Sequence, residues 1–131
     1  MVDASVVAAY ILKEPGWESL EAYMVEAVSV GLLVLEVINA IWKALHRGLI
    51  DKEDAREKVR ILMMLVGTNI IIRDESEILD LAIEIAFSQN VTIYDAVYIA
   101  LAEKLDAELV TFDRKQYGAC IAEGVRCELL S

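Results

Sequence analysis

With 131 residues and a formal charge of −10, the chain is long enough for one domain, 1–131, with a buried core, and too acidic for a broad nucleic-acid-binding surface. Its 57% apolar share exceeds the ~45–50% usual for soluble domains, so either the core is very full or a partner covers an apolar face. The longest uncharged apolar runs, Ala27–Leu35 and Ile61–Ile72, fall short of the ~20 residues needed to span a membrane, and no basic region precedes the apolar N-terminus, so a cytoplasmic protein without membrane contact is expected.

Val2–Asp3 reads as the stub of a first strand, followed by a helix over Ser5–Lys13 and a turn at Pro15-Gly16. Trp17–Glu26 reads as a second helix. A short strand at Val28–Val30 leads through Gly31 into a long helix, Leu32–Arg47, with Val34, Val37, Ile38, Ile41 and Leu45 as its apolar stripe. Gly48 suits the C-terminal cap of that helix. Asp51 caps a charged amphipathic helix ending at Gly67. The β-branched run Ile70–Ile72 is expected to be a fully buried strand. Ser76 opens a helix to Ser88, and Thr92 opens another to Leu105, with Asp95 three residues on as in a helix-start pattern. Glu108–Phe112 is expected as a strand, Arg114–Glu123 as a helix and Val125–Leu129 as a final edge strand. Strands alternating with helices predict an α/β domain with a mainly parallel sheet. Such sheets place ligands beyond the carboxyl ends of their strands.

Cys120 and Cys127 are too few for a disulfide framework and fit no zinc spacing, although a disulfide between them stays open for a hyperthermophilic source. His46 is the only histidine, beside Arg47 and Gly48 at a helix C-terminus where it suits the dipole. Mechanisms built on a histidine base or several histidine ligands therefore have almost nothing to draw on.

Four acids fall where a site belongs. Asp3 ends the first strand stub, Asp113 follows the strand Glu108–Phe112, Glu36 lies early in the long helix, and Asp95 opens the helix before the strand that delivers Asp113. Each has an ordinary explanation alone: turn residue for Asp3 and Asp113, solvated face for Glu36, cap for Asp95. Together they stand beside apolar sequence, unlike the acids of the charged segment Asp51–Arg60. Two carboxylates ~5 Å apart repel by about 3 kcal/mol at an effective dielectric of ~20, so at least one of the four is expected to have a raised pKa. A hard divalent cation relieves that repulsion. Oxygen donors without histidine or thiolate favour Mg²⁺ or Mn²⁺, and such ions suit phosphodiester hydrolysis.

The stretches V-D-A-S (Val2–Ser5), L-E-V-I-N-A-I-W-K-A (Leu35–Ala44), T-I-Y-D-A-V-Y-I-A-L-A (Thr92–Ala102) and L-V-T-F-D-R-K (Leu109–Lys115), in that order, resemble the PIN domain. In particular the chain resembles the small single-domain VapC toxins of toxin–antitoxin pairs. The resemblance implies an α/β/α sandwich with a mainly parallel four- to five-stranded sheet, and a metal-dependent ribonuclease. It places Asp3, Glu36, Asp95 and Asp113 on an acidic quartet holding Mg²⁺ or Mn²⁺. Ser5 and Thr111 match hydroxyls near the metal, and Asn39 an amide one turn after the glutamate. Positions 111 and 113 point to one side of a strand, so Thr111 is expected to hydrogen-bond the carboxylates. Lys43 and Arg47 share a helix face with Glu36, and with Arg114 and Lys115 they are candidates for phosphate contacts. An RNA substrate, a small VapB-like antitoxin and a homodimer are the implied partners, with Trp17, Tyr23, Met24, Met63 and Met64 as contact candidates. Departures from the family pattern are the two residues before Asp3 and the strongly acidic charge.

Two other readings stand beside this one. A PIN-like interaction protein acts mainly by binding an antitoxin or itself. A receiver-like module uses acids at strand ends to bind Mg²⁺ and accept phosphate, but Asp3 lacks the acidic neighbour such a module needs.

Overall fold

The computed structural model describes all residues, 1–131. Ala27–Val30 (β1) pairs in parallel with Ile70–Arg73 (β2), and Leu109–Thr111 (β3) pairs in parallel with Cys127–Leu129 (β4). Residues 1–3 join the two ribbons. The Val2 N–H donates to Val28 O at 3.2 Å, the Val110 N–H to Met1 O at 2.9 Å, and the Asp3 N–H to Val110 O at 3.3 Å. The order across the sheet is therefore β2, β1, residues 1–3, β3, β4. The central position is the predicted stub, reduced to a single parallel bridge between Val2 and Val110. Val2 is buried, as a centre strand covered on both faces must be. The buried Ser29 hydroxyl donates to Val2 O at 2.7 Å and ties β1 to the stub.

The run Ile70–Ile72 departs from expectation. Ile70 is buried, but Ile71 is 50% exposed. β2 pairs with a full strand on one side only, with a lone bridge from Ile70 to Val66 besides, and strand alternation turns Ile71 away from the face that carries Ile70. It is an edge strand, as β4 is at the other side.

Six α-helices follow the strands: α1 Ala4–Ile11, α2 Leu32–His46, α3 Lys52–Leu65, α4 Leu79–Gln89, α5 Ile93–Leu105 and α6 Arg114–Ala122. Helices α1, α2 and α3 pack together, α4 packs on α5, and α6 lies against β3 and β4. Helix α5 is the most enclosed. All its residues from Ala96 to Ala102 are buried, which explains its near lack of a polar face. No helix is long and apolar enough to cross a membrane.

Local chemistry sets most helix starts. Asp3, Asp51, Thr92 and Asp113 cap α1, α3, α5 and α6 with side-chain oxygens. Helix α2 starts at Gly31 with no side-chain cap of its own. A carboxylate two residues past the end of β2 serves instead, because Glu75 Oε1 accepts from the Leu32 N–H. A Cβ at Gly31 would sit 3.0 Å from that oxygen, so glycine leaves room for the cap.

Three expected boundaries moved. Trp17–Met24 is a 3₁₀ helix rather than an α-helix. Asp74 accepts from the Ser76 N–H and winds Glu75–Glu77 into a 3₁₀ turn, so the regular helix starts at Leu79 rather than Ser76. Helix α1 ends at Ile11, with Lys13 in the left-handed region at φ 54°. Both cysteines are free thiols. His46 does sit at the end of α2, stacked on Trp42 at 5.0 Å.

Candidate functional site

Asp3 is the best-held acid in the molecule. Its Oδ1 accepts from the Ser5 N–H at 3.0 Å, the Ser5 hydroxyl at 2.5 Å and the Val6 N–H at 3.4 Å. Its Oδ2 accepts from the Thr111 hydroxyl at 2.5 Å. Each hydroxyl is used twice. Ser5 Oγ also accepts from the Phe112 N–H at 3.0 Å, and Thr111 Oγ1 from the Asp113 N–H at 2.9 Å. The ends of the central stub and of β3 are thereby locked together around one carboxylate. Asp3 is only 5% exposed. Burial raises its pKa above the ordinary carboxylate value, against the opposing pull of these hydrogen bonds.

Glu36 stands on the second turn of α2, half-buried. Its Oε1 accepts from the Tyr98 hydroxyl at 2.5 Å, an arm reaching from α5. Burial raises the Glu36 pKa, opposed by the Tyr98 bond and reinforced by the charges of Asp95 and Asp3. Asp95 lies in the first turn of α5, where its N–H donates to Thr92 Oγ1 at 3.2 Å. Its pKa is also raised, by burial first and then by the charge of Asp113, with Lys115 and Thr92 opposing. The expectation of at least one raised carboxylate is met by three.

Asp113 caps α6, accepting on Oδ1 from the Lys115 N–H at 2.8 Å and the Gln116 N–H at 3.3 Å. Gln116 is buried and joins this helix start to α5, its Nε2 donating to Asp95 O at 3.2 Å. Its Oε1 is buried without a partner.

The acids thus form a row in which Glu36 feels Asp3 and Asp95, and Asp95 feels Asp113. No three Asp, Glu, His or Cys side chains converge closely enough to make a ready-formed ligand cluster. The donor chemistry nevertheless fits a hard divalent cation. All available donors are carboxylate and hydroxyl oxygens, their charges repel, and Mg²⁺ takes only one or two carboxylates while keeping waters.

A groove of about 390 Å³ opens beside Glu36, lined by Ser5, Leu35, Asn39, Lys43 and Tyr94 among others. Asn39 and Lys43 follow Glu36 along one face of α2, as their spacing requires. Arg47 lies beyond the groove, at the C-terminal cap of α2. Arg114 and Lys115 are exposed in the first turn of α6, and the Lys115 charge reaches Asp95. None of these four cations is tied up in an ion pair. Tyr98, Gln116 and Glu75 were not singled out from the sequence. A tyrosine hydroxyl inside so apolar a helix needs a partner, which was the available signal for Tyr98.

Comparison with known proteins gives the family. The PIN domain family model matches residues 1–121. The chain is 35% identical over 118 residues to Ribonuclease VapC3 of Pyrobaculum aerophilum, covering 88% of this chain and 89% of that protein. The crystal structure of PAE2754 from Pyrobaculum aerophilum superposes with a TM-score of 0.70 at 25% identity, covering 96% of this chain and 81% of that one. The chain belongs to the PIN-domain family, and within it is VapC-like.

Proposed function

We propose that the chain is a divalent-metal-dependent ribonuclease that hydrolyses RNA phosphodiester bonds, acting in the cytoplasm as the toxin of a VapBC-type toxin–antitoxin pair. The observation that carries this reading is the row of mutually repelling carboxylates anchored by the buried, four-times hydrogen-bonded Asp3. The name of the 35%-identical relative supports the activity. Asp3, Glu36, Asp95 and Asp113 would hold Mg²⁺ or Mn²⁺, which when bound supplies the positive charge that activates water and stabilises a leaving oxygen.

The chain's own residues do the rest. Ser5 and Thr111 fix the Asp3 carboxylate, so it needs no reorganisation on loading. Lys43, Arg114 and Lys115 draw the phosphate backbone towards an otherwise repulsive acidic surface, and Asn39 offers an amide along the groove. Arg47, past the groove, contacts a longer stretch of the same strand. No cysteine or histidine stands among these groups as a covalent nucleophile, so water is the attacking group in this reading, and the resemblance to PIN-domain ribonucleases implies 5′-phosphate and 3′-hydroxyl ends. Incubation of total RNA with Mg²⁺ or Mn²⁺, followed by end mapping, tests the proposal. Cleavage that persists in EDTA, or 2′,3′-cyclic phosphate ends, contradicts it.

The reading includes association with a small antitoxin and with a second copy. The apolar surplus reaches the surface at Leu35, Trp42, Leu49, Met63, Met64 and Phe87, each more than half exposed. Met63 and Met64 therefore remain contact candidates, whereas Met24 is buried in the core and does not. Trp17 packs edge-on against Tyr10, and the Tyr23 hydroxyl donates to Glu128 at 3.0 Å, so both are partly committed within the chain. A cationic antitoxin segment seated on the acidic row would inhibit by competing with the metal. Sedimentation velocity of the isolated chain tests self-association, and a monomer at micromolar concentration contradicts the homodimer. The binding-only alternative keeps this surface and lacks the cleavage. The receiver-like reading gives way to membership of the PIN family.

A further inference from the structure

We infer that Tyr98 is a positioning residue for Glu36, its buried hydroxyl holding the carboxylate in the orientation that receives a divalent cation. The inference rests on the metal-dependent reading above and adds to it a residue outside the acidic row.

The Tyr98 hydroxyl is 2.5 Å from Glu36 Oε1, a short charge-assisted bond. Tyr98 is 2% exposed, so packing fixes the position of that donor. Its position adds a geometric reason. Tyr98 follows Asp95 by three residues, one turn along the most enclosed helix of the fold. Helix α5 therefore presents one acid of the row from its first turn and tethers a second from its next. Any shift of α5 against α2 moves both. Glu36 itself stands on a flexible three-torsion side chain at the rim of an open groove, and no other hydrogen bond to its carboxylate constrains it. Only Oε1 is engaged, leaving Oε2 for a cation.

A merely space-filling tyrosine and a positioning one differ in what the hydroxyl does. Tyr98→Phe keeps the ring and removes only the donor. Mn²⁺ affinity, read from the free-ion electron paramagnetic resonance signal without RNA, is expected to weaken about 10-fold, the lower range for loss of an outer hydrogen bond at a metal site. RNA cleavage measured across Mn²⁺ concentrations should show the matching shift in the half-saturating concentration. In the Glu36→Gln background, Tyr98→Phe should cause no further loss of Mn²⁺ affinity, because the two changes break the same contact. A Tyr98→Phe protein that binds Mn²⁺ within twofold of wild type, with an unchanged melting temperature, overturns the inference.

A second measurement needs no change at Tyr98. With ring-carbon-labelled tyrosine, Mg²⁺ should move one of the five tyrosine Cζ resonances in the wild type and leave it unmoved in Glu36→Gln. Saturation of wild type by Mg²⁺ with no tyrosine resonance moving also overturns the inference while leaving the metal reading intact. A wild type that takes up neither ion overturns both.

Discussion

Removing the Thr111 hydroxyl is the sharpest stability test of the Asp3 network. Thr111→Val is nearly isosteric and leaves the fully buried β3 backbone undisturbed. It deletes two bonds: the 2.5 Å donation to Asp3 Oδ2 and the 2.9 Å acceptance from the Asp113 N–H. A hydrogen bond to a charged group contributes roughly 1.5–3 kcal/mol, and leaving a backbone donor unpaired costs about 1 kcal/mol more. The expected loss is therefore about 3 kcal/mol, or about 12 °C in melting temperature for a domain of this size. Thr111→Ser restores both bonds while deleting a buried methyl group, at a cost of about 1 kcal/mol. Thermal denaturation at neutral pH in EDTA compares the three proteins. If the serine variant melts below the valine variant, packing rather than hydrogen bonding holds β3 to Asp3, and the reasoning fails.

Other expectations are as concrete. Glu75→Ala removes the only cap of α2 and is expected to destabilise the fold by about 1–2 kcal/mol, measurable by urea denaturation, while Glu75→Gln recovers most of the loss. Raised folded-state pKa values at Asp3, Glu36 and Asp95 mean that the native state binds more protons than the unfolded chain just above the ordinary carboxylate range. Their stabilising contribution is therefore full below the unfolded carboxylate pKa and lost as pH rises through the raised values. Metal-free stability should accordingly increase on mild acidification from neutral pH, and a melting temperature falling steadily from pH 7 to 5 contradicts this. Asp95→Asn removes one repelling charge, so its melting temperature in EDTA should match or exceed that of wild type, while Mg²⁺ should stabilise it less than wild type.

How much could be read in advance depended on range. The capping acids Asp3, Asp51 and Asp113 and the threonine Thr92 act on residues two or three ahead, so their helices were legible within a few positions. The α/β class followed from alternation, and the candidate site was proposed from acids at strand ends and helix starts. Long-range contacts left no such trace. The Glu75 carboxylate caps a helix start 43 residues earlier in the chain. Tyr98 and Glu36 are 62 residues apart, and each looks ordinary in its own helix. Ile70–Ile72 read as buried because β-branched runs favour centre strands, but the centre went to Met1–Asp3, whose shortness in sequence concealed a three-residue hub. Helix type at Trp17–Met24 was equally illegible, since periodicity does not separate a 3₁₀ turn from a short α-helix.

The central claim is that the acidic row is a metal-dependent nuclease site, and Asp95 is its most informative member. It occupies the first turn of the enclosed helix α5, where asparagine keeps the N–H bond to Thr92 and the fold while halving the oxygen donors of the side chain. The measurement is cleavage of a defined single-stranded RNA by purified wild type and Asp95→Asn at saturating Mn²⁺, with matched melting curves. Cleavage by wild type alone, abolished by EDTA, is the predicted result. Full activity in Asp95→Asn contradicts the account.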